Sequence, residues 1–262
     1  MMTLRKRISD RFIRIVLLCI SVIPLHSLKA QDCLLQDVEG LSANRQWACY
    51  ISTQQMDSLA TLYTNNAVKV RSTGEVFNIA DAIEHYYSKK EVGITSIQTL
   101  YKTQANSVYD YEIGTFTLEN GDTYKHVVIR NTQASNKREF ESIAKAENNL
   151  PIDPQIEARR NQWIALCNAH DALALVSELY APNTVYYNHK PVVVGVDAVA
   201  KEYGYMNNPQ YTLSLSPFHL EMVTPTLAFE IGQCSGSYNG KYIIIWQKDS
   251  QGTWKVLVDS NI

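Results

Sequence analysis

The chain has no apolar run long enough to span a bilayer. Its longest, Ile15 to Leu25 (IVLLCISVIPL), has eleven residues, against the roughly twenty that a spanning helix needs. An integral span is therefore excluded by this reading. An imbalance of charge is missing too. With 24 Lys and Arg against 26 Asp and Glu, the formal net charge is −2. No stretch of like charges provides the electrostatic footprint of a nucleic-acid binder, a membrane-surface face or an acidic tail. Cysteine is scarce, at five residues, with no C-x-x-C and no paired Cys/His spacing. That argues against a zinc site, and no metal or other cofactor is expected.

What is present begins with a targeting pattern. Arg5, Lys6, Arg7, Arg11 and Arg14 precede the apolar run, and Leu28-Lys29-Ala30 offers a small residue for cleavage. Basic, apolar, small is the layout of a secretory signal peptide, so residues 1–30 are set apart and a periplasmic or extracellular location is expected. Cys33 lies near the cut, but Gln31 and Asp32 stand where acylation signals want small residues, so no lipid anchor is expected. An oxidising compartment permits disulfides among Cys33, Cys49, Cys167 and Cys234. Sequence cannot choose among their pairings. Cys49 and Cys167 lie within apolar helical patterns and read as buried free thiols.

The sequence repeats itself internally at long period. Gln46-Trp47 matches Gln162-Trp163 at an offset of 116. Leu62-Tyr63 and Asn66-Ala67-Val68 match Leu179-Tyr180 and Asn183-Thr184-Val185 at 117. Asp81-Ala82-Ile83 with Tyr87 matches Asp197-Ala198-Val199 with Tyr203 at 116. Glu112-Ile113-Gly114 matches Glu230-Ile231-Gly232 at 118, and Lys125 to Ile129 matches Lys241 to Ile245 at 116. Five segments in one order at nearly one offset imply a tandem duplication. The period is too long for a solenoid, whose repeats run to roughly 20–50 residues, so two globular domains are expected. Their boundaries read as 31–147 and 155–262, with a linker at 148–154 (NLPIDP preceded by Asn148).

The second copy has the clearer pattern. Ile156, Trp163, Leu166 and Cys167 are spaced as on a helix over 155–169, and Asp171 can cap a second helix from Ala172 to Tyr180. Pro182-Asn183 reads as a turn, Val185 to Tyr187 as a short strand, and Asp197 to Tyr203 as a third helix. Strands are expected at 211–223, 226–238, 240–248 and 253–259. Helices first and consecutive strands last favour an α+β domain with a mostly antiparallel sheet.

Asn168-Ala169-His170-Asp171, Leu179-Tyr180, Asn183-Thr184-Val185, Gly195 before a helix, and Asp249-x-x-Gly252-x-Trp254-Lys255 together resemble the nuclear transport factor 2-like superfamily, its SnoaL-like and ketosteroid-isomerase-like members above all. The first copy is a degraded version, with Thr73-Gly74 and Asn136-Lys137 at weak points and a poorly matched final strand. The resemblance implies two tandem cone-shaped domains, each a curved sheet around helices with an apolar pocket. It fixes little about function.

The isomerase chemistry requires a carboxylate base and donors for a developing oxyanion. Carried over by position, the tyrosine donor falls on Trp163, the base on Asn188 and the second carboxylate near Ile244. In the first copy the last two fall near Arg71 and Val128. Neither copy keeps the base or the second carboxylate, so no catalytic residue is assigned. His189, after the first strand, and Glu230, on an inner strand, are the candidates for other acid–base chemistry. The bland readings are a loop histidine, an outward-facing Glu230 and a solvated strand-end Asp259.

Sixteen tyrosines and four tryptophans suit either an ordinary core or a pocket for a flat ligand. Trp163, Tyr180, Tyr187, Asn188, His189, Tyr203, Tyr242 and Trp246 are the expected ligand-binding set. Strand alternation sends Tyr186 and Tyr187 to opposite faces, so at most one lines the cavity. The expected function is a non-catalytic exported module with a small-molecule ligand. The alternatives are a hydrolase or lyase using His189 with a carboxylate, and a purely structural scaffold. In each the two domains would pack as an intramolecular pseudo-dimer.

Overall fold

The computed structural model describes Cys33 and residues 41–89, 92–188 and 191–262. The targeting pattern and His189 lie outside these residues. The described chain forms two tandem α+β domains, each a six-stranded sheet with helices on one face.

In the first, α1 (Ala43–Ser52) and α2 (Met56–Thr61) precede β1 (Tyr63–Val70) and β2 (Val76–Asn78). A short α3 (Ile79–Ala82) then runs into a π-helical turn, Ile83–Tyr87. Four strands follow: β3 (Ile94–Gln104), β4 (Tyr109–Leu118), β5 (Thr123–Asn131) and β6 (Lys137–Lys145). The second domain repeats the order. It runs α4 (Gln155–Asn168), α5 (Ala172–Leu179), β7 (Tyr180–Tyr186), β8 (Val193–Val194) and α6 (Val196–Glu202), then a 3-10 turn over Tyr203–Asn207. It ends with β9 (Leu213–Thr224), β10 (Leu227–Gly236), β11 (Gly240–Lys248) and β12 (Trp254–Asn261). The sheet orders are β2-β1-β6-β5-β4-β3 and β8-β7-β12-β11-β10-β9. All pairs are antiparallel except β1 with β6 and β7 with β12.

Capping follows the sequence signals in the second domain. Asp171 accepts from the Ala174 N–H at 2.8 Å, which satisfies an otherwise unpaired donor at the start of α5. His170 takes the left-handed conformation (φ 61°) that ends α4.

Two expectations are corrected. Pro182 and Asn183 lie inside β7 instead of forming a turn. Between Tyr180↔Val256 and Val185↔Val258 the pairing slips, so these residues sit in an irregular stretch where a missing proline N–H costs no ladder bond. Cys49 is not a free thiol but is disulfide-bonded to Cys33. The final strand of the first domain forms as β6, nine residues long, although its residues match the family pattern poorly.

Three hydrophobic cores result. One lies under the helices of each domain, built on Trp47, Tyr63, Tyr87 and Phe116 in the first and on Trp163, Tyr180, Tyr203 and Trp246 in the second. The third lies between the sheets. Val70, Ile113, Ile129 and Phe140 there meet Val185, Phe229, Ile243 and Ile245. Polar contacts tie the same seam, among them Lys125 to Glu221 at 2.6 Å and Gln247 to the Ser72 carbonyl at 2.5 Å.

Candidate ligand site

Each sheet carries one row of three residues aimed under its helices. In the first the row is Glu112, Val128 and Glu141, and in the second it is Glu230, Ile244 and Asp259. Both domains therefore place a carboxylate on the third-last and on the last strand, with an apolar residue on the strand between.

The outer pair, Glu112 and Glu230, is a buried ion-pair site in both domains. Glu230 accepts from Arg160 Nε at 2.7 Å and Arg160 NH2 at 2.8 Å, from the Tyr242 hydroxyl at 2.7 Å and from the Trp246 indole N–H at 2.8 Å. It is fully buried, not outward-facing as the sequence reading had it. Arg160 comes from α4, one turn before Trp163. In the first domain the guanidinium arrives from the other side. Arg130 on β5, paired as Trp246 is, reaches Glu112 at 3.1 Å, and Asn44 on α1 takes the place of Arg160. Burial would raise the Glu112 pKa, but the adjacent His126 ring and the charge of Arg130 hold it well below the usual range. Gly114 and Gly232 make room for these rows, since a Cβ at either would collide with the facing ring of His126 or Tyr242.

The inner pair is where the domains part. Glu141 accepts from Tyr63 at 2.9 Å and from Tyr87, and Asp259 accepts from Tyr180 at 2.8 Å and from Tyr203. These tyrosines are the matching positions of the repeat. Glu141 has two further partners, Lys69 Nζ at 3.1 Å and Arg138 NH1 at 2.8 Å. The register puts Tyr186 where Lys69 stands and Val256 where Arg138 stands. The Tyr186 hydroxyl turns to Asn261 instead, at 2.7 Å. Asp259 consequently has no cationic partner among the described residues. Burial raises Glu141, but Lys69 and Arg138 hold it at about 2. Burial pushes Asp259 up to about 7, only partly offset by the Tyr180 hydrogen bond.

Asp259 borders a small hollow of about 20 Å³, lined also by Trp163, Tyr203, Tyr205, Tyr211 and Tyr242. That is room for about one water-sized group. The rings form a continuous chain: Trp163 to Tyr180 at 5.3 Å, Tyr180 to Tyr203 at 6.1 Å, Tyr203 to Tyr205 at 6.0 Å and Tyr205 to Tyr211 at 5.3 Å between centroids. The Trp163 indole N–H is buried without a partner among the described residues, whereas its counterpart Trp47 donates to the Tyr63 hydroxyl at 2.7 Å. Cys167 and Cys234 are buried beside the hollow, and burial raises their thiols to about 11 and about 12, so neither is a thiolate nucleophile.

Of the expected ligand set, Trp163, Tyr203 and Tyr242 line the hollow, and Tyr180 sits behind it on Asp259. Trp246 is engaged with Glu230. Tyr187 is on the opposite face, where it packs on Phe140 and donates to Glu139 at 3.1 Å; Tyr186 is the one that turns inward. Asn188 donates to the Tyr186 hydroxyl at 3.4 Å. Asp259 itself is 2% exposed, which corrects the reading of a solvated strand end. Among the described residues no group of three His, Cys, Asp or Glu is placed to hold a metal, and no helix is long and apolar enough to cross a membrane.

No protein-family profile matches the chain, and no curated protein matches it. Solved structures to which it is similar include nuclear transport factor 2-like and ketosteroid-isomerase-like proteins. One is a nuclear transport factor 2-like protein of unknown function from Shewanella oneidensis, 14% identical over 41% of this chain and 95% of its own, with a TM-score of 0.37. A second is a nuclear transport factor 2-like superfamily protein from Salmonella enterica, 17% identical over 41% of this chain and 87% of its own, TM-score 0.35. A third is a putative ketosteroid isomerase from Shewanella frigidimarina, 18% identical over 42% of this chain and 96% of its own, TM-score 0.34.

Proposed function

We propose that this chain is an exported, non-catalytic module of two nuclear transport factor 2-like domains, divided at 148–154, in which the second domain binds a small aromatic or apolar molecule. The observation that carries the reading is the unneutralised carboxylate of Asp259 facing an aromatic-walled hollow. A buried acid with no counter-charge lowers stability once ionised and is retained where it meets a ligand. The unpaired Trp163 N–H at the same hollow supports it, because a buried donor without an acceptor costs roughly 1–3 kcal/mol. Packing of the two sheets back to back fits a pseudo-dimer within one chain. The Cys33–Cys49 disulfide fits an oxidising compartment.

Against turnover stands the engagement of Glu230 by four donors, which leaves it no free lone pair for proton transfer. One observation favours the structural reading instead: the hollow takes only a water-sized group. A larger ligand enters by displacing the rim, where Tyr205 is 47% exposed.

Native mass spectrometry of the mature protein from its own host, with organic extraction, tests the proposal. A co-purifying molecule at one per chain is expected. An unliganded mass, with no change in tryptophan fluorescence on adding small aromatic compounds, would leave the scaffold reading in its place.

A further inference from the structure

The first domain carries a built-in answer to what the second one lacks. Its carboxylate, two tyrosines and tryptophan hold positive charge: Lys69 Nζ sits 4.6 Å from the Tyr86 ring centroid and 4.9 Å from that of Tyr87, and the Arg138 guanidinium lies 4.1 Å from that of Trp47. Each cation is thus shared between Glu141 and an aromatic face, as desolvated cation–π contacts require. The second domain keeps the carboxylate, both tyrosines and the tryptophan, and adds Tyr205, Tyr211 and Tyr242. It has replaced both cations, by Tyr186 and Val256. Aromatic rings around an acid are an attractive environment for a cation and a costly one for the acid alone. The hollow at Asp259 is the size of one ammonium group, which matches a water molecule in volume.

We propose that the second domain's hollow binds a small organic ammonium ion, with Asp259 as its counter-ion and the rings of Trp163, Tyr203 and Tyr205 as its walls, so that a ligand brings the positive charge that Lys69 and Arg138 bring to Glu141. This rests on the ligand-binding reading above and names its chemical class. The ammonium head fills the hollow, and the organic remainder passes out between the rim tyrosines. An anion is repelled by Asp259, and a neutral molecule leaves the carboxylate unpaired.

Isothermal titration of the full mature chain with benzylammonium chloride and, separately, with benzyl alcohol distinguishes the possibilities. At pH 8, above the Asp259 midpoint of about 7, the amine is expected to bind at least about tenfold more tightly than the alcohol. Asp259→Asn should abolish that preference. Tyr186→Lys, which places an ammonium beside the acid as in the first domain, should abolish amine binding even if the first variant folds poorly. Equal binding of amine and alcohol would overturn the ammonium assignment while leaving a ligand pocket. A preference that survives in Asp259→Asn, or amine binding that survives in Tyr186→Lys, would overturn it as well. Binding of neither compound to the wild-type chain would overturn both the assignment and the reading beneath it.

Discussion

The two inner carboxylates differ by two neighbouring side chains, and those decide what each domain is. Glu141 and Asp259 occupy one position of the repeat and accept from the same two tyrosines. Lys69 and Arg138 make the first a closed ion-pair cluster. Tyr186 and Val256 leave the second a protonatable acid against a hollow. The outer pair diverged without such a change of character. Glu112 and Glu230 both keep one arginine, supplied by β5 in one domain and by α4 in the other. A scaffold can therefore exchange the source of a charge without loss, whereas removing the charge alters the chemistry of the site.

The sharpest way to break this comparison is to remove the lysine. Lys69→Met takes one partner from a fully buried ion pair and should cost about 3–5 kcal/mol in urea denaturation. A loss below about 1 kcal/mol would mean that Arg138 alone neutralises Glu141.

The dependence on pH should run in opposite directions for the two acids. Asp259 rises from 3.8 to about 7 on folding, so its contribution is complete below 3.8 and is lost as pH climbs through 7, by about 4 kcal/mol. Glu141 falls from 4.5 to about 2, so its contribution is complete above 4.5 and is lost as pH drops through 2, by about 3 kcal/mol. In Asp259→Asn, the decline in melting temperature from pH 4 to pH 8 should flatten. An unchanged decline would place the titration elsewhere.

The disulfide belongs to the first domain only. Its 16-residue separation gives about 3 kcal/mol of stabilisation. Reduction or Cys49→Ser should lower the melting temperature accordingly, while the two free thiols among the described residues, Cys167 and Cys234, should be unreactive to a thiol reagent until the protein unfolds. The smallest contrast concerns the tryptophans. Trp47→Phe breaks the bond to Tyr63 and should cost about 1 kcal/mol more than Trp163→Phe, which removes a donor with no partner. Equal costs would indicate that the Trp163 N–H is satisfied in solution.

The duplication, the α+β class and most second-domain elements were legible because period and order survive in the sequence. Asp259 was not, for a specific reason. A strict two-residue alternation along 253–259 puts it on the face of Lys255, away from Trp254 and Val256. The ladder slips between Val256 and Val258, so Leu257 and Val258 both face the seam and Asp259 turns inward. The same slip sits at Glu139 in β6 and turns Glu141 inward. Nothing in residue type announces either bulge. Arg160 did leave a signal: with Ile156, Trp163 and Cys167 it lies on one helical face, and an arginine on an apolar stripe calls for a buried acid. Cys49 looked like a core thiol because its partner lies far from any periodic segment.

The seam between the sheets has an evolutionary consequence. In a two-fold homodimer every substitution appears twice, so both sites must change together. Here one polypeptide holds both halves of that arrangement, and a mutation in one half has no mirror image. A cluster such as Lys69–Glu141–Arg138 can stiffen one half permanently. The other half is then free to carry a strained, unneutralised acid that two identical copies would have had to tolerate at double the penalty.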